Sequence, residues 1–346
     1  MSKKLFDFVI GNPPYQDNIE NNNNSQPMYN IFMDATYDVA NKVELITPAR
    51  FLFNAGQTPK SWNEKMLHDE HFKVLKYESN GKNVFPSADI KGGVAITYHD
   101  FLSKYDAIVD FIEYPIVKDI CNKVGSRKDF CSLNLIHHNR SSYRLSEIFS
   151  ENHPEFGKMD DKGKITFDTS ITSNIFEKLK NVLSDDEFEN SCCIFGREEN
   201  SRTKKWLEKK YISNHENLDK WKVFLSKSNG TGKFGETFSE PEVSGPNTIA
   251  TQTFISFGAF ESEIEACNLV KYLKTKFLRT LLDACKATPD NARKEVWKYV
   301  PLQDFTPDSD IDWSKSIHEI DEQLYKKYDL SEAEINFVET HVKEME

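Results

Sequence analysis

No stretch of this chain approaches the roughly 20 consecutive apolar residues that a membrane-spanning helix needs, so a helical membrane protein is not expected. The opening residues Met1-Ser2-Lys3-Lys4-Leu5-Phe6-Asp7 hold neither an apolar segment nor a small-residue cleavage site. No secretory signal is read there, and a cytoplasmic protein is expected. The six cysteines (Cys121, Cys131, Cys192, Cys193, Cys267, Cys285) are scattered and form no CxxC pair. That spacing predicts reduced, mostly buried thiols, with no disulfide frame and no metal site. No PD…(D/E)xK constellation is present, so no nuclease site is assigned, and there is no internal repeat. Positive charge is also short: 44 Lys and Arg stand against 55 Asp and Glu, a net charge of −11. Neutralising phosphates needs the opposite balance. The shortage is uneven, however. Residues 197–233 hold ten basic and five acidic side chains, whereas residues 304–346 hold four and thirteen. Such asymmetry suits a DNA-facing patch and a solvated acidic tail.

What is present is enough to build cores. With 346 residues, 38% hydrophobic and 12% aromatic, two domains are the natural expectation. Leu5-Phe6-Asp7-Phe8-Val9-Ile10 is a near-continuous apolar run ending in Gly11, as expected of a strand buried on both faces of a sheet. Residues 29–41 have helical spacing, and residues 43–47, 72–77 and 93–98 read as further strands. Strands interleaved with helices predict an α/β layer with a largely parallel sheet. Residues 21–25 are a polar loop, and Asp7 and Asp17 flank the segment between. From about residue 105 the pattern turns irregular, which predicts a mixed α+β region. It includes a glycine-rich turn (228–235) and the loop His137-His138-Asn139-Arg140. Residues 314–328 have helical periodicity, and Ser331 with Glu334 forms a capping box for a last helix, so the chain is expected to close on a helical hairpin.

The chemistry lies directly after the first strand, in Asn12, Pro13, Pro14 and Tyr15. An exocyclic amino group such as adenine N6 is a poor nucleophile, because its lone pair is delocalised into the ring. Methylating it requires acceptors that hold both N–H bonds and draw the nitrogen towards tetrahedral geometry. The Asn12 side-chain oxygen and the Pro13 carbonyl can supply them, and the Pro13-Pro14 pair makes a stiff loop without amide donors of its own. Tyr15 can stack on a base swung out of the duplex. The carboxyl end of a strand is where open α/β sheets place ligands. The bland alternative is a rigid turn at a strand end, with Tyr15 as packing.

FDFVIGNPPYQ resembles motif IV of N6-adenine-type amino-group methyltransferases. VELITPARFLFNAG is similar to the strand and loop that follow it in that family, where a Pro-x-Arg-Phe/Trp-Leu stretch lines the target-base side. VFPSADIKGGVAITYHD resembles the family's later sheet strands. TQTFISFGAFESEIEA, VPLQDF and IDWSKSIHEIDEQLYKKYDLS resemble the target-recognition part of type II restriction–modification methylases fused to or associated with endonucleases. The resemblance implies a partial Rossmann-like methyltransferase sheet with the NPPY motif (1–110), an α+β target-recognition domain (111–303) and a C-terminal helical hairpin (304–346). It also implies S-adenosylmethionine as cofactor and double-stranded DNA as partner. One departure matters. The family's glycine-rich cofactor motif I precedes NPPY, and only eleven residues precede Asn12. The downstream candidate, residues 231–236, lacks a preceding apolar strand and the acidic residue that would hold the ribose. An incomplete cofactor pocket is therefore expected, needing a second polypeptide or segment to supply the cofactor-binding half.

For DNA contact the candidates are Arg197, Arg202, Lys204, Lys205, Lys209, Lys210, Lys227 and Lys233. Those around Trp206 and Tyr211 have helical spacing, which suits phosphate contacts with stacking or, equally, a solvated amphipathic helix. The leading function is a site-specific DNA adenine-N6 methyltransferase. A protein-glutamine methyltransferase uses the same motif but does not account for the long region after residue 105. A DNA-binding specificity protein without activity, or a truncated methylase remnant, is the alternative from a different class.

Overall fold

The computed structural model describes residues 4–16, 26–88, 90–159, 161, 165–286 and 288–346. Asp17 and the polar run 21–25 lie outside the described residues. Two compact units are present. The first comprises Met1–Lys118, Thr231–Phe234 and Asp283–Pro289; the second comprises Asp119–Gly230, Gly235–Leu282 and Asp290–Glu346. Two short segments from within residues 111–303 thus pack with the N-terminal unit.

In the first unit the elements run β1 (Phe6–Gly11), α1 (Tyr29–Val39), β2 (Ala40–Pro48), α2 (Lys60–Leu67), β3 (Phe72–Glu78) and β4 (Val94–Asp100). They form one sheet in the order β1-β2-β4-β3. The expected strands are all there, but the sheet is not largely parallel. Only β1 and β2 run together, with Phe6 opposite Ala40 and Gly11 opposite Leu45. The β2–β4 and β3–β4 pairs are antiparallel. The β3–β4 link contains only the 3-10 turn Gly81–Asn83 and no crossover helix of the kind a parallel neighbour uses, so β4 returns antiparallel.

A second correction concerns β1. It lies at the sheet edge, and only one of its faces is covered. Val9 packs against a core of Tyr29, Met33, Val43, Leu45, Phe51, Trp62 and Phe72. The opposite face leaves Phe6 55%, Phe8 64% and Ile10 78% exposed. The Lys42 ammonium lies 5.5 Å from the centre of the Phe8 ring and covers little of it. A continuous apolar run signals a doubly buried strand only when layers exist on both sides.

The second unit begins on α3 (Pro115–Gly125), which starts in the first, and continues with β5 (His137–His138), α4 (Glu147–Asn152), β6 (Lys158–Met159), β7 (Ile165–Thr166) and α5 (Ile175–Lys178). Then come β8 (Ser191–Glu198), β9 (Ser201–Glu208), β10 (Trp221–Ser226), β11 (Glu242–Ser244), β12 (Thr248–Ala250) and β13 (Phe254–Phe260). The principal sheets are β11-β10-β13-β5 and β12-β8-β9. Phe195, Phe224, Phe254, Ile194 and Leu207 pack within one buried cluster. His137 and His138, expected in a loop, are a short strand antiparallel to β13. The chain ends on α6 (Glu263–Lys274), α7 (Lys276–Asp283), α8 (Ile317–Lys327) and α9 (Glu332–His341). The Ser331–Glu334 capping box at α9 is present, and equivalent boxes open α6 (Ser262, Glu265) and α8 (Ser316, Glu319). No helix among the described residues is long and apolar enough to cross a membrane. Of the cysteines, only Cys121 and Cys192 are buried, and Cys131 and Cys267 are exposed, fewer buried thiols than expected.

Candidate functional site

Residues 12–15 leave β1 at the carboxyl end of the parallel pair, so the strand-end placement expected of them is what the fold provides. Sheet register brings three other segments to the same end. Pro48 of β2 lies opposite Val94 of β4, and Val94 lies opposite Glu78 of β3, so the stretches after Pro48, after Glu78 and before Val94 converge. Asn12 and Pro14 are exposed, Pro13 is buried and Tyr15 is half-buried. The Asn12 side chain has no hydrogen-bond partner among the described residues and is open to a donor. The Tyr15 carbonyl accepts from the Met28 amide at 3.1 Å, which anchors the far end of the loop. Its ring meets Phe85, and burial pushes its phenol up to about 12.

At this end of the sheet the first unit also encloses a cavity of about 860 Å³, which sequence reasoning missed apart from the stretches holding Arg50 and Lys233. Residues 12–15 do not line it, but they reach it through Phe85, whose amide bonds the carbonyl of the lining residue Gly81 at 2.8 Å. Arg50 and Phe53, from the Pro-x-Arg-Phe-Leu stretch, lie in its wall. Arg50 is held by donating Nε–H to the Lys91 carbonyl at 2.6 Å and by lying across Gly92, where a Cβ would come within 2.7 Å of its Cγ. Gly92 and Gly93 have φ of +82° and +79°, so this Gly-Gly pair fits a conformation that L side chains rarely adopt. Lys82, Lys91 and Lys233 are exposed around the cavity and carry no ion pair among the described residues. Burial, with Glu78 nearby, holds the Glu113 carboxyl above its usual range.

The glycine-rich segment needs a correction. A buried strand, β10, does run into it, contrary to the expectation. What it lacks is a helix behind it: Gly230, Gly232 and Gly235 have positive φ, and the chain stays irregular until β11. Without a helix N-terminus it does not fit the glycine-loop site that would hold the S-adenosylmethionine implied by the resemblance. Its Thr231, Gly232 and Lys233 instead line the cavity.

The remaining basic candidates lie in the second unit, and none is on an α-helix: Lys209 and Lys210 belong to the short 3-10 turn Lys209–Tyr211. Ser201–Glu208 is a strand, joined to β8 by Glu199 and Asn200 at φ +47° and +67°. Two successive positive φ values make the tight turn that suits the twist of a hairpin. Arg202 and Lys204 therefore share one face while Lys205 points to the other. Most are already paired: Lys204 with Glu242 at 3.0 Å, Lys209 with Asp219 at 2.6 Å, Lys210 with Glu208 at 2.5 Å, and Lys205 with Asp185. Arg202 lies 3.6 Å from Glu242. Arg197 donates to Ser226 Oγ at 3.4 Å, and Lys227 is half-buried.

Residues 1–85 match the family model described as Eco57I restriction-modification methylase. Over 93 residues, 26% of this chain and 22% of the other, the protein is 28% identical to an uncharacterized adenine-specific methylase of Mycoplasma pneumoniae. The segment holding Asn12 and Tyr15 thus lies within the part of the chain that is similar to a restriction–modification methylase domain. Among solved structures, the type IIL restriction-modification enzyme MmeI in complex with DNA is similar at a TM-score of 0.40 and 11% identity, covering 97% of this chain and 56% of MmeI. The type IIG restriction endonuclease BpuSI is similar at 0.33 and 10%, covering 90% and 48%. The chain spans little more than half, or less, of the length of each of these relatives.

Proposed function

We propose that this chain carries the amino-group-binding face and the DNA-recognition portion of a site-specific DNA adenine-N6 methyltransferase of a restriction–modification system. The observation that carries the reading is the open Asn12 side chain at the carboxyl end of a parallel strand pair, within a segment of methylase sequence. In this reading Asn12 Oδ1 and the Pro13 carbonyl accept the two N–H bonds of the target amino group, and the Tyr15 ring stacks on the extruded base. Neutral acceptors aimed at a nitrogen that becomes positive as it pyramidalises stabilise the transition state more than the ground state. Arg50 and the lysines of the cavity rim supply positive charge for the phosphates flanking the base, and the second unit serves target recognition.

The glycine-rich segment after β10 does not fit the cofactor, so a separate cofactor-binding half is proposed to dock along the open edge of β1. Unpaired strand edges with exposed apolar side chains are normally covered. Leu5, Phe6, Phe8 and Ile10 supply such a surface. That half is either another segment of a longer chain or a separate polypeptide.

Radiolabelled methyl incorporation into mixed DNA tests both parts. This chain alone is expected to give none, and an assembly with the cofactor half is expected to give robust transfer. In that assembly Asn12→Ala should lose on the order of 3 kcal/mol of transition-state stabilisation, about a hundredfold in rate. Near-normal transfer by Asn12→Ala overturns the methyltransferase reading. Asn12-dependent transfer by the chain alone overturns the requirement for a docked half.

A further inference from the structure

Among the described residues, the second unit brings together His138, His215 and Glu216, whose ligand atoms all lie within 4.8 Å of one another. We infer that these three residues form a binding site for a divalent transition-metal ion, best suited to zinc. Cysteine spacing alone predicts no metal site here. This cluster uses no cysteine, and its histidines are far apart in the chain.

The hydrogen bonds of the two imidazoles carry the argument. His138 Nε2 lies 2.5 Å from the Gly258 carbonyl oxygen. A carbonyl can only accept, so Nε2 bears the hydrogen, and in the neutral ring that a metal requires Nδ1 presents its lone pair. Gly258 sits at φ +117°, and a Cβ there would meet the Trp221 carbonyl at 3.0 Å, so the strand that aims this carbonyl is built around a glycine. In the second imidazole, His215 Nδ1 lies 2.8 Å from Asn217 Oδ1. The Asn217 amide is oriented by its other bonds: Oδ1 accepts from the Tyr143 hydroxyl at 3.0 Å, and Nδ2 donates to Ser256 Oγ at 3.3 Å. Oδ1 is thus an acceptor towards His215, and Nδ1 is the donor. The Asn217 amide N–H also approaches Nδ1, but at 3.4 Å. If that contact decided the tautomer, two lone pairs would face each other at 2.8 Å, so the shorter contact wins. His215 Nε2 is left with its lone pair.

Each imidazole therefore has one nitrogen tied to an oxygen acceptor and the other available, the arrangement that orients histidine ligands around metals. The Glu216 carboxylate adds an oxygen 3.3 Å from His138 Nδ1. Tetrahedral bonds of about 2.0–2.1 Å put neighbouring ligand atoms about 3.3 Å apart, so one edge of the polyhedron is already at its bound length. The rings of His138 and His215 stand at 80° with centres 4.9 Å apart, a crossed arrangement in which both can aim at one point. Two imidazoles and a carboxylate favour zinc over magnesium or calcium, and leave a fourth position for water. Bound there, the ion ties β5 to the loop before β10.

Titration of the full chain with zinc chloride after chelator treatment tests the site. One equivalent is expected to bind and to raise the melting temperature. His215→Gln and Glu216→Gln should each weaken that binding by about tenfold or more. The Glu216 side chain is 75% exposed, so its replacement tests the ligand without threatening the fold. Cobalt(II) should give a visible spectrum without thiolate charge-transfer bands, and Cys131→Ser with Cys267→Ser should leave zinc affinity unchanged. Absence of one-equivalent binding overturns the proposal. So does binding that survives both His215→Gln and Glu216→Gln, or that is lost with the two cysteines.

Discussion

The ring of Tyr15 meets the ring of Phe85 edge to face, with centres 6.2 Å apart and planes at 80°. Its hydroxyl is buried and has no hydrogen-bond partner among the described residues. The side chain therefore serves through its ring, and the oxygen is a burden. Tyr15→Phe is expected to leave extruded-base binding unchanged and stability equal or slightly higher. Tyr15→Ala should weaken binding of the extruded base by about 1–3 kcal/mol, the usual worth of base stacking. It should also lower thermal stability, because the contact with Phe85 goes too. Fluorescence of 2-aminopurine at the target position reads the first effect, and a melting curve separates it from the second. Loss of base binding in Tyr15→Phe would show that the hydroxyl, not the ring, is used.

Under the proposed function two basic sets are candidates for DNA contact, and their ion pairing ranks them. Among the described residues, Lys82, Lys91 and Lys233 are exposed without acidic partners, whereas Lys204, Lys205, Lys209 and Lys210 each face a carboxylate. Replacing the first three by Ala should reduce the log–log salt slope of DNA binding by about one unit per lysine. Replacing the other four should reduce it less per residue, since each phosphate contact there exchanges one ion pair for another. Such surface pairs are worth only about 0–1 kcal/mol, so they weaken the contact without forbidding it. Binding isotherms across a salt series decide the order. A larger effect per residue in the second set would assign the main contact to the β8–β9 hairpin.

Local signals with a single physical meaning were legible in the sequence. The strand ending in Gly11, the NPPY turn after it and the Ser331–Glu334 cap each depend on neighbours a few residues away. What depended on distant partners was not. Nothing in FDFVIG says which face α1 will cover, so the exposure of Phe8 and Ile10 could not be read. SRTKKWLEKKY looks helical by spacing until Ser191–Glu198 pairs with it, and the turn residues Glu199-Asn200 are not the familiar Asn-Gly signal. The cavity wall is assembled from six separate stretches of chain, of which only those holding Arg50 and Lys233 drew notice for what they could bind. IKGGV held the one available clue, since adjacent glycines before a strand mark backbone that must turn tightly against a neighbour.

Lys222 is fully buried in β10, and its ammonium donates to the carbonyls of Leu218, Gly245 and Thr248 at 3.2, 3.0 and 3.0 Å. Burial lowers its pKa to about 8, so it remains charged at neutral pH. One side chain thereby ties three backbone carbonyls around the strand. Lys222→Met matches its length but strands those oxygens, at about 1–3 kcal/mol for leaving buried acceptors unsatisfied. Urea unfolding should show a lower midpoint with an unchanged slope. An unchanged midpoint would mean that water replaces the ammonium without cost.

Asp321 of α8 caps α7 from outside. Its carboxylate accepts the amides of Lys276 and Phe277 at 2.9 and 2.8 Å, at the end of the helix where the dipole favours negative charge. Burial nevertheless dominates and raises its pKa to about 7, with Glu339 adding to the rise while the two amides and Arg279 oppose it. An unfolded aspartate titrates near 3.9. Between about pH 4 and 7, then, the folded chain retains a proton that the unfolded chain has released, so this group's contribution to stability falls as pH rises through that window. The slope is at most about 1.4 kcal/mol per pH unit for a single proton. Glu334 and Glu339, whose values are lowered, act with the opposite sign, so the wild-type profile alone does not isolate Asp321. The comparison with Asp321→Asn does. Asparagine keeps one acceptor and loses the other, at a cost of about 1 kcal/mol, but it does not titrate. Urea midpoints measured from pH 4 to 8 should therefore diverge at the acid end, where wild type alone gains from the bound proton. The gap should narrow as pH approaches 7. Parallel profiles across that range would mean that Asp321 is ionised throughout, held by the two amides against its burial.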